Sequence, residues 1–431
     1  MTEETFFKEL INPNILNMFK LRLSYGIVGG EVGDPFSYMN QYKQDGAILL
    51  GSNMTSNAAW VEANVASDLS WTRSRQLSAG VDFDMFKNRL NGSFDTYLYM
   101  NHGAAMNMNQ KLVYTPILGM PNTPKINAPF ETSRKGGIEF SLNWNDKIGD
   151  FNYRLGVNYS YWDERVTRHQ SESTNWYYPK LNSLGLRNMQ NTYGSTMISG
   201  GLFGTYDQLY NAVLDNGSSN SYNMSYNLGA MKLEDRNGDG IIDNGDRYWV
   251  NKAGTTPLTL YGITLGGGWK GLDIEIFLQG AANVTGSMPS PLRSQQSYLW
   301  NYGKYLFNSS YLPSNPDLNA NLPLPNNGST KMSYGSTFVD RWVYNASYLK
   351  MKNISVRYDL KRDLLKNVSY IKGLDLSFII TNAFTWVNKN YPLKNMADPE
   401  YIPVESIWGS SGKLGAYPTQ RSYTFGVTVT L

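Results

Sequence analysis

The chain has 431 residues, a formal net charge of +3, no cysteine and 14% aromatic residues. The missing cysteine excludes a disulfide scaffold, a thiol nucleophile and a Cys-ligated zinc site, and near-neutral charge without Lys/Arg blocks leaves no nucleic-acid footprint. Mean hydropathy of −0.42 and no run near 18 apolar residues exclude a helical membrane protein, but not a membrane β-barrel, whose strands need only alternate residues apolar.

The opening "MTEETFFKEL" is acidic where a secretory leader needs a basic start and an apolar run, so the chain is expected to be cytoplasmic or to begin partway into something longer. From there a period of two takes over, the mark of strands with one apolar face. In "FKLRLSYGIVG", Leu21, Leu23, Tyr25 and Ile27 oppose Lys20, Arg22, Ser24 and Gly26. "RLNGSFDTYLYM" sets Leu90, Phe94, Leu98 and Met100 against Arg89, Asn91, Ser93 and Asp95. "GIEFSLNW" and "FNYRLGVNYSYW" follow with Ile138, Phe140, Leu142 and Trp144, then Phe151 to Tyr161. "LDIEIFLQG" sets Leu272, Ile274, Ile276 and Leu278 against Asp273, Glu275 and Gln279. "LDLSFIITNAF" and the final "RSYTFGVTVTL" repeat the beat. With less regular runs near 69–85, 258–269 and 346–360, about ten strands are expected.

Their connections alternate between long and tight. The tight ones are "FKN" (86–88), "NDKIGD", "KG" (270–271) and a modest turn near 361–372, and the longest excursion spans 163–257. Long loops on one end and tight turns on the other are the habit of outer-membrane barrels, with the long loops extracellular. A soluble β-sandwich or propeller also alternates apolar and polar residues. Against it stand strands of ten or more residues, charges such as Lys20, Arg22, Arg89, Asp95, Asp273 and Glu275 at mid-strand as in a wet lumen, and Trp71, Trp144, Trp269 and Trp386 near strand ends as in an aromatic girdle. The expected fold is all-β, an antiparallel transmembrane β-barrel portion.

Inside the longest excursion, "DRNGDGIIDNGD" carries oxygen ligands in the order of an EF-hand calcium loop: Asp235, Asn237, Asp239, the Ile241 carbonyl, Asp243 and Asp246, with Gly240 at the sixth position. Hard oxygen donors in this order suit Ca²⁺. Asp246 stands where glutamate usually gives two oxygens, which weakens or shrinks the site, and the β-prone flanks argue against a regulatory helix pair. The alternative is an Asp/Asn/Gly turn that holds no metal. His102 and His169 are the chain's two histidines, both expected in loops, and they give no support for catalysis. "GITLGGGWKG" lacks the GKS/GKT and following helix of a phosphate loop. Loop aromatics (Trp176, Tyr177, Tyr178, Tyr206, Tyr210, Trp300, Tyr302) could stack on sugars or pack on neighbouring loops, and no substrate-binding residue is nominated.

Eight phrases in collinear order resemble one known family. They are "FKLRLSYGIVGG", "LSWTRSRQLSAGVDFDMFKNRLNGSFDTYLY", "RKGGIEFSLNW", "MKLEDRNGDGIIDNGDRYWV", "LYGITLGGGWKGLDIEIFLQGAAN", "NASYLKMKNISVRYDL", "LDLSFIITNAFTW" with "ADPEY", and "YPTQRSYTFGVTVTL". Over nearly its whole length the chain resembles the C-terminal part of the SusC/RagA family of TonB-dependent outer-membrane transporters of Bacteroidetes. That resemblance implies about ten strands of a 22-stranded barrel whose plug, TonB-binding segment and signal peptide lie outside this sequence. It also implies no enzymatic activity, location in the outer membrane among its lipids, and uptake of oligosaccharides or peptides. The implied partners are a SusD-like surface lipoprotein and the TonB system. Two positions depart from the family's wording: Leu431 replaces the usual terminal phenylalanine, and "NAF" at Asn382 to Phe384 replaces "NLF". The competing function is a secreted, calcium-stabilised, glycan-binding protein of soluble β fold.

Overall fold

The structure is a computed structural model. It describes 14–30, 70–103, 131–167, 198–213, 227–243, 256–288, 304–324, 339–363, 370–394, 398–400 and 419–430. It also describes short strands at 41–44, 48–50, 53–55, 59–63, 105–107, 125–127, 186–187, 193–196 and 248–250, and the single residues 12, 246 and 366.

Ten long antiparallel strands lie side by side in chain order: β1 (Leu16–Gly30), β2 (Thr72–Met85), β3 (Leu90–His102), β4 (Glu131–Ile148), β5 (Phe151–Val166), β6 (Thr259–Trp269), β7 (Leu272–Ala282), β8 (Tyr348–Asp359), β9 (Gly373–Val387) and β10 (Ser422–Thr430). Every one of the ten expected strands is present. Pairing each strand only with its chain neighbours is the meander of an up-and-down barrel wall. The short strand Leu186–Arg187 pairs with the end of β5, beside the ten-strand path.

Registers carry one apolar face across the whole wall, because directly paired residues share a face. Tyr25 pairs Leu77, which pairs Leu98. Phe94 pairs Phe140, and Phe140 pairs Tyr159 with ring centroids 5.2 Å apart. Ile263 pairs Leu278, Ile276 pairs Ile354, and Phe378 pairs Phe425. Among the described residues these side chains have no second layer to meet: Leu23 is 72% and Phe425 80% exposed. A soluble sandwich would bury such faces against each other. The soluble alternative fails on that observation.

Tight turns gather at one end. Lys270 and Gly271 both have positive φ (45° and 84°), the two-residue geometry that matches strand twist, and Gly149 (φ 60°) opens the β4–β5 turn. Between β2 and β3, Phe86, Lys87 and Asn88 are all left-handed, with φ of 56°, 60° and 63°. Asn17 makes this strained turn tenable, because its Oδ1 accepts from the backbone N–H of Lys87 (2.8 Å) and Asn88 (3.3 Å). Arg89 lies in this turn, outside the strand, and His102 is the last residue of β3 where a loop was expected. Strand ends are the least sharply coded part of an alternating pattern, since turn residues continue the beat.

The chain's buried core lies elsewhere. Leu202, Met231, Leu233, Ile242, Val284, Met288, Tyr311, Leu322, Val339, Trp342, Tyr391 and Leu393 pack into one cluster drawn from three long connections, β5–β6, β7–β8 and β9–β10. Short strand pairs, Ser199–Leu202 with Met231–Leu233 and Thr285–Ser287 with Val343–Asn345, knit this cap at the long-loop end of the wall. The five-residue helix Tyr206–Tyr210 is N-capped by Thr205 and presents exposed Tyr206 and Tyr210.

Candidate functional site

Opposite the apolar face runs a polar one. Arg22 on β1 reaches Asp82 on β2 (2.7 Å) and Asp95 on β3 (3.0 Å). Arg154 on β5 binds both oxygens of Asp273 on β7 (2.9 and 3.2 Å) across β6 and lies 3.5 Å from Glu275. It can do so because Gly266 lies between them, where a Cβ would come within 2.6 Å of the Arg154 Nε. Arg357 on β8 pairs Asp375 on β9 at 2.7 Å. Asn91, Asn143, Ser141 and Asn158 extend the row through side-chain hydrogen bonds. A hydrogen-bonded, charge-balanced face of this kind suits a water-filled or protein-filled lumen. Of the six charges expected there, Arg89 instead bonds Asp146 at the tight-turn end (3.2 Å).

The expected girdle tryptophans divide between both ends. Trp144 and Trp269 stand by the tight turns, with Phe86 at 6.0 Å from Trp144. Trp71 and Trp386 stand at the long-loop end, where Trp386 stacks near Phe384 (6.0 Å). About ten residues of β8 separate the two levels, from Leu349 beside Trp386 to Tyr358 beside Leu272. At about 3.3 Å per residue and a tilt near 40°, that span rises roughly 25 Å, the height of the apolar band of an outer-membrane barrel.

The calcium-like loop is held in a compact turn. Asp235 accepts from the N–H of Gly238 (2.7 Å) and Gly240 (2.8 Å), which have φ of 74° and 83°. The Asn237 Oδ1 accepts from the Asp239 N–H, and the Asp239 Oδ1 accepts from the Ile241 N–H, both at 2.9 Å. Asp246, fully buried, accepts from the N–H groups of Arg236 (2.8 Å), Asn237 (3.2 Å) and Asp243 (2.9 Å). Burial pushes the Asp246 carboxyl up, those backbone N–H groups pull it down, and the Asp235 charge pushes it up again; the net direction is upward. Ile242, one residue past Ile241, is fully buried in the cap core. The short strands Met231–Leu233 and Tyr248–Val250 flank the loop. Among the described residues no group of three His, Cys, Asp or Glu side chains stands in metal-holding geometry.

A second polar cluster went unnoticed in the sequence. Lys350 on β8 is buried and bonds Asp398 and Glu400 of the "ADPEY" phrase, with Lys352 on the outer side of Glu400. "ADPEY" between two extended runs was the available signal, but nothing local named its partner. His102 lies 4.0 Å from Glu131 at the rim of β3 and β4. His169, Trp176, Tyr177, Tyr178, Trp300, Tyr302 and Leu431 lie outside the described residues.

No family model matches the chain. TonB-dependent receptor SusC of Bacteroides thetaiotaomicron is 26% identical over 388 residues, covering 86% of this chain and 34% of SusC. TonB-dependent receptor P3 of Formosa agariphila is 23% identical over 447 residues, covering all of this chain and 40% of that receptor. Structures of the RagAB peptide importer in its open-open and closed-closed states superpose with TM-scores of 0.62 and 0.61 at 17% and 18% identity, over 99% and 98% of this chain and 42% of theirs. The chain therefore spans between a third and a half of the length of the relatives it matches. With a wall apolar on one face and ion-paired on the other, the chain is similar in sequence and in fold to a portion of a SusC/RagA-like TonB-dependent outer-membrane β-barrel.

Proposed function

We propose that this chain forms the C-terminal portion of the barrel of an outer-membrane nutrient importer. The cargo is an oligosaccharide or peptide, energy arrives from the TonB system through a plug domain, and a SusD-like lipoprotein covers the long-loop end, which faces outward. The observation that carries the reading is the two-faced wall: apolar side chains exposed along nine of its ten strands on one side, paired charges on the other. The RagAB structures of similar fold are those of a peptide importer, in keeping with the peptide arm of that cargo, and the relatives similar in sequence are TonB-dependent receptors. The chemistry is binding and passage without bond-making, in keeping with relatives named as TonB-dependent receptors.

Deleting the gene should abolish growth on one oligosaccharide or peptide mixture as sole source while leaving growth on monomers intact. The intact receptor should fractionate with outer membranes, shift in gel mobility on boiling, and bring a surface lipoprotein with it on detergent extraction. Recovery in the soluble fraction without detergent would sink the reading.

We also propose that the loop binds Ca²⁺ through Asp235, Asn237, Asp239, the Ile241 carbonyl, Asp243 and Asp246, as a staple for the cap. The buried Asp246 carboxylate favours it, since a divalent cation offsets the cost of an anion held out of water. So does Ile242, which ties the turn to the core so that ordering one orders the other. Terbium luminescence is expected to titrate with the protein and vanish in Asp235→Ala. A flat titration up to about 10 mM, ten times the weakest extracellular sites, would leave the loop a metal-free turn.

A further inference from the structure

Lys350 is the one lysine among the largest fully buried side chains of the described residues, and the importer reading gives it no task. Its strand neighbours are Gln279 on β7 and Thr385 on β9, so it points to the polar face at the long-loop end. After β9 the chain leaves the wall, passes Asp398–Glu400, and returns at Thr419 to begin β10. Lys350 touches both the departing and the returning stem. Its Nζ donates to Asp398 Oδ2 (2.6 Å) and Oδ1 (2.8 Å), to Glu400 Oε2 (3.0 Å) and to Thr419 Oγ1 (3.4 Å). Thr419 also bonds Asp398 directly, and the Glu400 N–H donates to Asp398 Oδ1 at 3.0 Å. Lys352 completes the charge balance through two bonds to Glu400, at 2.6 and 2.9 Å.

The backbone is built around this meeting. The register of β8 slips at Lys352 against both neighbours, a bulge, and such irregularities re-aim side chains. Opposite the slip, Asn382 takes a left-handed φ of 54°, and its Nδ2 donates to the Gln420 carbonyl at 3.0 Å, holding the returning stem a second time. The two "NAF" and "ADPEY" phrases are thus two halves of one joint.

We propose that Lys350 is an electrostatic clip that fastens both stems of the last long connection to the wall, and so sets where that connection stands over the mouth of the polar face. A buried ammonium with two carboxylates is held firmly only while every partner is present, since each partner removed leaves an uncompensated charge. The clip therefore opens as a unit, both stems together. It does not depend on the identity of any cargo.

The charged and titratable groups around it are Lys350, Lys352, Asp398 and Glu400, with the hydroxyls of Tyr348, Tyr391 and, from β6, Tyr261, which donates to the Tyr348 carbonyl at 3.1 Å. Burial pushes the Asp398 and Glu400 carboxyls up, but bonds from the lysines, Thr419 and the Glu400 N–H outweigh it and leave both below their ordinary values of 3.8 and 4.5. Groups depressed in the folded state stabilise it above their unfolded values and lose that contribution as pH falls through the folded ones. The clip is closed above about pH 4.5 and opens in acid below pH 3.8.

Amide hydrogen exchange on the intact receptor in detergent, corrected for intrinsic exchange rates, tests this. In Lys350→Met, protection in peptides spanning 388–400 and 419–421 is expected to fall at least tenfold while β6 and β7 keep theirs; unchanged protection in both peptides overturns the clip. Should that variant fail to fold, unsubstituted receptor titrated downward from pH 7 until the wall itself opens decides. Joint loss of protection in both stems ahead of the wall supports it, whereas stems that open singly, with the wall, or not at all overturn it.

Discussion

Leu23 on the wall and Leu322 in the cap obey opposite rules. The first is 72% exposed and the second wholly buried, within one chain. The wall turns its apolar side chains outward because its surroundings are hydrocarbon, and it satisfies its backbone by strand pairing. The cap buries its apolar side chains inward, as a water-soluble domain does, because it stands above the membrane in water. The comparison teaches that exposed apolar area cannot be scored without knowing the solvent each region meets.

Breaking the cap should have the largest effect. Trp342→Ala removes the largest fully buried side chain of the cap and is expected to cost about 3–5 kcal/mol there, read as faster proteolysis of 198–346 with the boiled-gel shift of the wall unaltered. The mirror experiment on the wall is Ile276→Arg, on the apolar face between Leu265 and Ile354. A charge facing lipid at that depth should cost about 2–4 kcal/mol in refolding from urea into bilayers, and much less in a cap surface position such as Tyr210, which is 91% exposed.

Smaller effects sharpen the division. Calcium at about a hundred times its dissociation constant should stabilise the cap by about 2.7 kcal/mol, a gain that chelation removes and Asp239→Ala abolishes, and the wall's unfolding should not respond. Arg154→Met, which breaks the bond to Asp273 on the wet face, should change wall stability by only about 0.2–1 kcal/mol, because both partners are partly solvated. If instead Arg154→Met collapses the wall in bilayer refolding, the polar face is a dry interior and the two-solvent comparison fails.

The wall was legible in the sequence because each strand declares its faces locally. Leu21, Leu23, Tyr25 and Ile27 need no distant partner to show a period of two, and the same holds for Leu272 to Leu278. The calcium-like loop was legible for the same reason, its donors lying within twelve consecutive residues. Arg89 and His102 were misplaced by a residue or two, because alternation runs on into turns. The cap was invisible: Leu202, Ile242, Leu322, Trp342 and Leu393 follow no common period and come from connections that read as loops.

By itself, then, the sequence determined ten amphipathic strands, their order, and which connections are short, all set by side chains within a few residues of one another. Only the tertiary structure decided that three long connections share one core, that Arg154 reaches Asp273 across an intervening strand, and that Lys350 meets Asp398 from 48 residues away. Those facts depend on which segments come together in space, and loop packing and buried charge pairing leave no periodic trace along the chain.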